Sequence, residues 1–326
     1  MKEKLTIKWG IIGLGNIAHK FAKDLQLVNN TELVAVASRN KENAETFAKM
    51  YHCPKAYDSY EAILNDDTID ILYIATPHNS HAELSIKALE KNKHVLCEKP
   101  IALNYADAEK MIAASKKHNK FFMEAFWTRF NPSYRAAFEK IKQGELGKIR
   151  YINSDFAFSA YGKNRSRLFD LKLGGGSLMD IGVYPLFLAY TILGVPESIY
   201  AKSIFDTSGV DAQTSMILQY PEAQAVLYSG ICHTSNMKST ISGTEGRINL
   251  NTIWHMAESF TLIKNDNETK YSLPTNGMGY TYEIEECHKC IQNNVIESQL
   301  WSHKNSLELI QIVEEVKKQI GLEFPV

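Results

Sequence analysis

The first 124 residues alternate between short, continuous apolar runs and stretches in which apolar residues recur at helical spacing. Continuous apolar runs predict strands that are buried on both faces, as in a parallel sheet. Their alternation with helical segments predicts βαβ units and a doubly wound sheet. The predicted strands are Ile7–Ile12, Glu32–Ser38, Ile71–Ala75, His94–Cys97 and Phe121–Glu124, and the predicted helices are Asn16–Leu27, Lys41–Met50, Ser80–Lys91 and Tyr105–His118.

After Arg129 the pattern becomes a succession of strands separated by turn signals, preceded by one helix that follows Asn131-Pro132 and ends near Gly144. This pattern predicts an antiparallel sheet in a second, α+β domain. We therefore expect two domains, residues 1–124 and 125–326. The later strands are predicted at Ile149–Phe158, Ser198–Phe205, Thr214–Tyr220, Gln224–Ile231, Ser239–Ser242, Arg247–Asn251 and Ser259–Ile263, and the closing helices at Met278–Asn293 and Lys304–Ile320.

Composition narrows the class of protein. The 326 residues carry a net charge of −1, which gives no reason to expect nucleic acid or an anionic membrane as a partner. The N-terminus lacks the apolar stretch of a signal peptide, and the longest apolar run, Val183–Val195, is too short to span a bilayer. Five scattered cysteines fit a reducing compartment. We expect a cytoplasmic globular protein.

The opening motif predicts a dinucleotide-binding turn. Gly13 and Gly15 directly follow the first predicted strand, and Ala18 stands where a third glycine is usual. Gly13 permits the tight turn, Gly15 lets the backbone approach a pyrophosphate, and a small third residue allows close helix–strand packing. Asn16 and Ile17 open the helix, whose N-terminus favours an anion. The alternative is a strand-to-helix turn without a ligand.

The end of the second predicted strand indicates which nucleotide is bound. An acidic residue at this position would bind the ribose 2′-hydroxyl of NAD. The chain has Ser38 and Arg39 instead, which can hydrogen-bond and clamp a 2′-phosphate. NADP is therefore favoured, with NAD possible. The alternative is that Arg39 is a solvated loop residue.

Two further segments carry candidate chemistry. The sequence CEKP, Cys97–Pro100, lies at the carboxyl end of a predicted parallel strand, where ligands bind in such sheets. Lys99 can orient a substrate hydroxyl or donate a proton there, or it can be half of a surface Glu–Lys pair. In LGGGSLMDIGVY, the glycine run would let the backbone approach a ligand. Asp180 and Tyr184 would share a helix face, unless Gly182 or Pro185 kinks the helix.

Each of these residues has a purely structural alternative. Ser177 and Asp180 also fit a capping box that merely starts a helix. Tyr184 also fits an aromatic core position. The sequence CHKC, Cys287–Cys290, has no second ligand pair at zinc spacing, so no metal is expected.

GIIGLGNIA, ATPHNSH, CEKP and GGGSLMDIG together resemble the Gfo/Idh/MocA family of NAD(P)-dependent oxidoreductases, and the resemblance runs from Trp9 to Pro325. It implies a Rossmann domain, a second domain with a large open sheet, and a homodimer through that sheet. Pro77 and His81 match the TPNxxH run of the family, whereas His78 replaces its asparagine; both histidines can also be simple helix-start residues. The cofactor residues it implies, besides those above, are Thr76, Pro77, His78, His81, Glu98, Lys99, Trp127 and Arg129.

The resemblance also implies roles in catalysis. Lys99 corresponds to the active-site lysine, and Tyr184 replaces the usual histidine, which marks a subgroup with tyrosine as acid/base. A substrate hydroxyl would lose its proton while hydride leaves the same carbon. An ordinary tyrosine titrates near 10, so the phenolate needs a cationic neighbour, the role expected of Lys99. Asp180 would orient substrate hydroxyls or Lys99.

The expected substrate is an aldose or a cyclic trans-diol. Trp127, Phe156 and Trp254 can wall its pocket, although core packing explains aromatic residues equally well. Basic residues at 163, 165 and 167 hint at a phosphate or carboxylate, or form a solvated loop. Alternative functions are an inactive dinucleotide-binding regulator and an NAD-dependent glycosidase. The presence of both Lys99 and Tyr184 argues against an inactive regulator. The tyrosine at position 184, in place of histidine, argues against the glycosidase.

Overall fold

The computed structural model describes residues 6–161 and 165–325, and it divides into two compact units. The first contains the described residues up to Phe130 together with Asn276–Leu307, and the second contains Asn131–Thr275 and the residues from Glu308 onward. The continuous domains predicted at 1–124 and 125–326 differ from these units, because each unit combines separate stretches of chain. Residues 1–5, where no signal peptide is expected, and Lys163 lie outside the described residues.

The first unit has a six-stranded sheet in the order β3-β2-β1-β4-β5-β6, and every pair in it is parallel. The order reverses between β1 and β4, which is where such sheets bind ligands. The strands are β1 Ile7–Ile12, β2 Thr31–Ala37, β3 Lys55–Tyr57, β4 Ile71–Ile74, β5 His94–Glu98 and β6 Phe122–Ala125; the helices are α1 Asn16–Leu25, α2 Lys41–Met50, α3 Tyr60–Leu64, α4 His81–Glu90 and α5 Tyr105–His118.

Local sequence explains most of these elements. The apolar residues of β1 and β4 are buried, as expected of strands covered on both faces. Asn40 and Asn104 cap α2 and α5 by accepting backbone N–H bonds at 2.9 and 2.8 Å. The elements β3 and α3 are not predicted from the sequence; the three half-polar residues of β3 become a strand only beside the edge of β2.

The second unit has an eight-stranded sheet in the order β14-β13-β12-β11-β7-β10-β9-β8. Its pairs are antiparallel except β7 with β10, so the prediction of a mostly antiparallel sheet is confirmed. The polar, exposed strand β14 was missed. The elements are α6 Pro132–Lys142, β7 Ile149–Ala157, α7 Arg165–Leu168, α8 Val183–Leu193, β8 Ser198–Phe205, β9 Asp211–Gln219, β10 Gln224–Gly230, β11 Ser239–Gly243, β12 Arg247–Leu250, β13 Ser259–Lys264 and β14 Asn267–Ser272. The next helix, α9 Thr281–Gln292, belongs to the first unit, and α10 His303–Ile320 begins in the first unit and ends in the second.

The helical segment Leu171–Leu193 is predominantly apolar, and the residues from Val183 to Tyr190 are all buried. By length and composition alone it is long and apolar enough to cross a membrane, whereas the run Val183–Val195 by itself is too short. In the structure 78% of its most apolar window is buried within the protein. A helix that is hydrophobic all round is expected in a large core. We therefore interpret it as a helix of the protein core, and its first turns carry candidate site residues.

Candidate active site

Gly13 is required by the protein's own packing. Its φ of +88° lies in the left-handed region, and its N–H donates to Ala37 O at 3.1 Å. An ideal Cβ at this position would lie 2.8 Å from the backbone of Ala75 and 2.8 Å from Cγ2 of Thr76. Gly13 therefore makes the turn between β1 and α1 fit against the end of β4.

Gly15 is different, because an ideal Cβ there meets no described atom within 4 Å. Its backbone is extended, and it precedes α1 as the N-cap without a side-chain capping bond. No acidic residue stands in the first turn of α1, so nothing in that turn offsets the positive end of the helix dipole. Ala18 is fully buried, as close helix–strand packing requires. These features fit a dinucleotide diphosphate at Asn16 and Ile17.

Ser38 and Arg39 follow directly after β2. The Ser38 hydroxyl accepts the Asn40 N–H at 3.2 Å, which orders the loop before α2, and its own proton remains available for donation. Arg39 is exposed. The serine and the guanidinium fit a ribose 2′-phosphate, whereas the acidic residue that would bind a 2′-hydroxyl is absent from the sequence here.

The loop after β4 holds two buried histidines. His78 opens a 3-10 helix, His78–Ser80, and His81 is the first residue of α4. Ring nitrogens of His81 lie 3.0 Å from Thr76 O and 2.9 Å from Pro100 O. His81 therefore lies within hydrogen-bond distance of both the Thr76-Pro77 loop and the Lys99-Pro100 loop, so the helix-start alternative describes its position but not its contacts.

Glu98 ends β5, and Lys99 follows it. The Glu98 carboxylate is buried and accepts a bond from the Tyr73 hydroxyl, so this Glu98 is not half of a surface ion pair. Burial, with Glu98 beside it, raises the pKa of Tyr73 well above its usual value. The Lys99 side chain is only half-buried, and the Lys99–Pro100 peptide bond is cis. The structure thus places Lys99 at the carboxyl end of a parallel strand, as predicted.

Trp127 and Arg129 lie on a 3-10 helix, Trp127–Phe130, after β6. The Trp127 ring stacks on Tyr280, with centroids 4.9 Å apart and an interplanar angle of 18°. Arg129 is buried, and its Nε donates to Leu300 O at 2.9 Å. Both side chains thus contact residues from the segment Asn276–Leu307, and their roles toward a cofactor or substrate stay predictions.

In the second unit, Tyr184 belongs to an aromatic cluster. Phe156 and His255 lie 5.4 and 5.2 Å from its ring, centroid to centroid, and these two stack on each other at 4.2 Å and 18°. Trp254 meets His255 edge-on and donates its indole N–H to Asp155 O at 3.1 Å. The structure therefore brings Tyr184 against the predicted substrate residue Phe156, and a second one, Trp254, contacts the same His255. It adds His255, which lies beside the predicted Trp254 in sequence but drew no attention.

Asp180 lies on a π-helix, Leu178–Gly182, which runs directly into α8. Its Oδ1 accepts a charge-assisted hydrogen bond from Nη2 of Arg167 at 2.5 Å. Ser177 makes no capping bond with its side chain. The Ser177 half of the capping box is therefore absent, and Asp180 pairs with a cation. The side chain of Arg165 and all of Lys163 lie outside the described residues.

The glycine run before this π-helix packs against protein. An ideal Cβ at Gly175 would lie 2.6 Å from Leu168 O, and one at Gly176 would lie 2.2 Å from Oδ1 of Asp211. Gly175 and Gly176 therefore make room for protein atoms, and an approach of the glycine run to a ligand stays a prediction. They seat the 165–173 segment, and Arg167 with it, close to the π-helix.

Asp211 fixes the start of the π-helix. Its buried Oδ2 accepts bonds from Ser177 Oγ, Leu178 N and Thr214 Oγ1, each at 2.7 Å. Burial raises the pKa of Asp211 to about 6, and the three hydrogen bonds oppose this rise. No motif marked Asp211, because two of its three partners, Ser177 and Leu178, lie more than 30 residues earlier in the chain.

Cys287 and Cys290 lie buried in α9. The Cys290 thiol donates to Oε1 of Glu286 and to Glu297 O, at 3.7 and 3.8 Å. Among residues 6–161 and 165–325, no group of three or more His, Cys, Asp or Glu side chains could hold a metal ion. The cysteine pair is therefore assigned to the packing of α9.

Sequence comparison identifies both halves of the chain. Residues 7–126 match the model of an oxidoreductase family with an NAD-binding Rossmann fold, and residues 134–249 match the GFO/IDH/MocA C-terminal domain. A trans-1,2-dihydrobenzene-1,2-diol dehydrogenase from Xenopus tropicalis is 35% identical over 334 residues, which cover 98% of this chain and 100% of that relative.

Solved structures agree on the fold. The 3-ketoreductase KijD10 from Actinomadura kijaniata, in complex with NADP and TDP-benzene, superposes with a TM-score of 0.88 at 25% identity, over 96% of this chain and 98% of its own. An aldose-aldose oxidoreductase from Caulobacter crescentus, complexed with glycerol, gives 0.87 at 24% identity, over 96% and 97%.

The parallel sheet, its glycine turn and these matches define an NAD(P)-dependent oxidoreductase with a dinucleotide-binding Rossmann fold. The chain belongs to the Gfo/Idh/MocA family. The resemblance seen in the sequence, the fold class and the enzyme class are thereby confirmed.

Proposed function

We propose that this protein is an NADP-dependent dehydrogenase that oxidises a hydroxyl-bearing carbon of an aldose or a cyclic trans-diol. The aromatic cluster around Tyr184 carries the proposal, because it places a phenol against two stacked rings, Phe156 and His255. Such rings suit the apolar face of a sugar or diol ring. The names of the dihydrodiol dehydrogenase relative and of the aldose-aldose oxidoreductase support the same substrate classes.

The chain's residues divide the chemistry among them. The bound dinucleotide supplies the hydride acceptor at nicotinamide C4. Tyr184, as phenolate, takes the proton of the substrate hydroxyl, and the hydrogen on the same carbon leaves as hydride, so that a carbonyl group forms. Lys99 stabilises the alkoxide that develops on the substrate oxygen. Asp180 accepts hydrogen bonds from other substrate hydroxyls and so orients the sugar or diol.

Preference for NADP is proposed from Ser38 and Arg39. Replacing Arg39 with Gln removes the guanidinium without adding charge, and we expect the Kd for NADP to rise about tenfold while the Kd for NAD changes little. Titration of both nucleotides against tryptophan fluorescence measures this ratio. An equal change for both nucleotides would contradict a 2′-phosphate contact.

A homodimer is proposed through the exposed face of the eight-stranded sheet. Tyr200 on β8 pairs in register with Ile217 on β9, and the two side chains are 64% and 41% exposed. Tyr151 on β7 and Ile204 on β8 are also exposed. Adjacent exposed apolar side chains mark an interaction surface. Light scattering on the wild type and on Ile217→Lys tests it, and an unchanged mass would contradict it. We also propose a cytoplasmic location.

The decisive experiment follows NADPH formation by absorbance with pentoses, hexoses and cyclic diols. We expect turnover by the wild type and a loss of about a hundredfold or more in kcat for Tyr184→Phe, with substrate binding retained. Tyr190→Phe on the same helix is the matched control. Tight NADP binding without turnover of any compound would favour the alternative of a catalytically inactive, dinucleotide-binding regulator. Hydrolysis of glycosides without net cofactor reduction would favour the glycosidase.

A further inference from the structure

Glu124 is a buried carboxylate whose three hydrogen bonds converge from different parts of the first unit. It lies in β6 and is 2% exposed. Oε1 accepts the Ile101 N–H at 2.8 Å, while Oε2 accepts the Trp301 indole N–H at 3.1 Å and the Ser306 hydroxyl at 2.7 Å. Ile101 stands two residues after Lys99, so the carboxylate holds the backbone that carries the lysine.

The peptide before Ile101 is held from another side. A ring nitrogen of the fully buried His81 lies 2.9 Å from Pro100 O. The Pro100 carbonyl and the Ile101 N–H belong to the same peptide unit, so His81 and Glu124 fix both of its polar groups. A peptide fixed at both ends leaves the preceding Lys99 backbone little freedom to rotate.

All three partners of Glu124 donate in the observed arrangement, which suits a carboxylate with two accepting oxygens. Burial raises the pKa of Glu124 to about 7, with Glu98 adding to the rise, while the three hydrogen bonds oppose it. Packing β6 around an apolar side chain would avoid this desolvation. Burying the Glu124 carboxylate therefore lowers the stability of the folded protein, and this indicates a role beyond packing.

We propose that Glu124 is a positioning residue for Lys99, holding the Lys99-Pro100-Ile101 turn in the conformation that presents the ammonium to the substrate. Trp301 and Ser306 come from the chain segment Asn276–Leu307, so this late segment of the sequence fixes the turn through Glu124. The effect on catalysis rests on the role proposed above for Lys99, whereas the effect on the turn does not.

Glu124→Gln tests the proposal, since the amide NH2 would face donors that need an acceptor. Glu286→Gln is the matched control: Glu286 is another buried carboxylate of the same unit and accepts the Ser298 hydroxyl at 2.6 Å. For Glu124→Gln we expect kcat to fall about tenfold, with the Kd for NADP within about threefold of wild type. For Glu286→Gln we expect kcat within about twofold of wild type.

Hydrogen exchange reports on the turn without any assay of turnover. Peptides covering residues 98–103 should exchange faster in Glu124→Gln than in wild type, and at the wild-type rate in Glu286→Gln. If these peptides are unchanged in Glu124→Gln, or exchange faster to the same extent in both variants, the proposal is overturned.

A double-mutant cycle separates this proposal from the function proposed for Lys99. In a Lys99→Met background, Glu124→Gln should cause no further loss of kcat, because the residue it positions is gone. An equal loss in both backgrounds would overturn the proposal. If Lys99→Met alone leaves kcat unchanged, the catalytic role of Lys99 fails, and with it the effect of Glu124 on turnover, while faster exchange at 98–103 would still support the turn itself.

Discussion

Arg167 forms an ion pair with Asp180, with Nη2 and Oδ1 2.5 Å apart, so the aspartate proposed to orient the substrate is already held by a cation. The Arg167 side chain is 42% exposed, whereas that of Asp180 is 14% exposed. Arg167 is seated by glycines that bring the 165–173 segment close to the π-helix. The pair fixes the carboxylate in one orientation and leaves other guanidinium N–H groups able to donate.

Replacing Arg167 with Gln should therefore weaken substrate binding more than turnover. We expect KM to rise about three- to tenfold, with a smaller change in kcat, since an exposed pair contributes modestly. Initial rates over a range of substrate concentrations measure both constants. Arg150→Gln is the control, because Arg150 pairs with exposed Glu222 at 3.5 Å in the same unit. An equal rise in KM for the Arg167 and Arg150 substitutions would contradict the hypothesis that Arg167 positions Asp180.

Substitution of the two turn glycines by Ala should separate structure from ligand binding. At Gly13 the positive φ and the close Ala75 backbone predict a loss of stability of about 1–3 kcal/mol. At Gly15 an added methyl group meets no described atom, so stability should be unchanged while the Kd for NADP rises about tenfold. Thermal unfolding and nucleotide titration check the two effects. A Gly15→Ala variant that binds NADP like wild type would refute a pyrophosphate at this turn.

His255 should act as a wall of the substrate site. It stacks flat on Phe156 and lies beside Tyr184. His255→Ala removes the ring, and we expect KM for a cyclic diol to rise about tenfold. His255→Phe keeps a ring and should restore most of the loss. If the Phe variant is as impaired as the Ala variant, His255 acts through its nitrogens and the wall is not its role.

Glu124 should make stability depend on pH. Its pKa of about 7 lies above that of the unfolded chain, so the unfolded state binds fewer protons between about pH 4.5 and 7. The stability that protonated Glu124 adds to the free energy of unfolding is thus present at low pH and is lost as the pH rises through 7. Relative to Glu124→Gln, the wild-type free energy of unfolding should fall between pH 5 and pH 8, by at most about 3 kcal/mol. Urea unfolding at several pH values measures the difference, and a constant difference would contradict it.

The sequence by itself determined the framework of this protein. Apolar runs and helical spacing predict the βαβ pattern, because both periodicities are local. The glycines of the first turn, Lys99 after β5 and the family motifs could be identified for the same reason. Spacing also sufficed to point to Tyr184 and Asp180 as candidates, although not to choose between chemistry and packing.

Only the tertiary structure decided which residues surround these candidates. His255 beside Tyr184, Arg167 on Asp180, Asp211 at the π-helix and Glu124 on the Ile101 N–H are all contacts between residues distant in sequence. The close packing of Gly175 and Gly176 could not be predicted for this reason, since their neighbours are the carbonyl of Leu168 and the carboxylate of Asp211. Hydrogen bonds and desolvation depend on the atoms that folding brings together, and no local pattern encodes them.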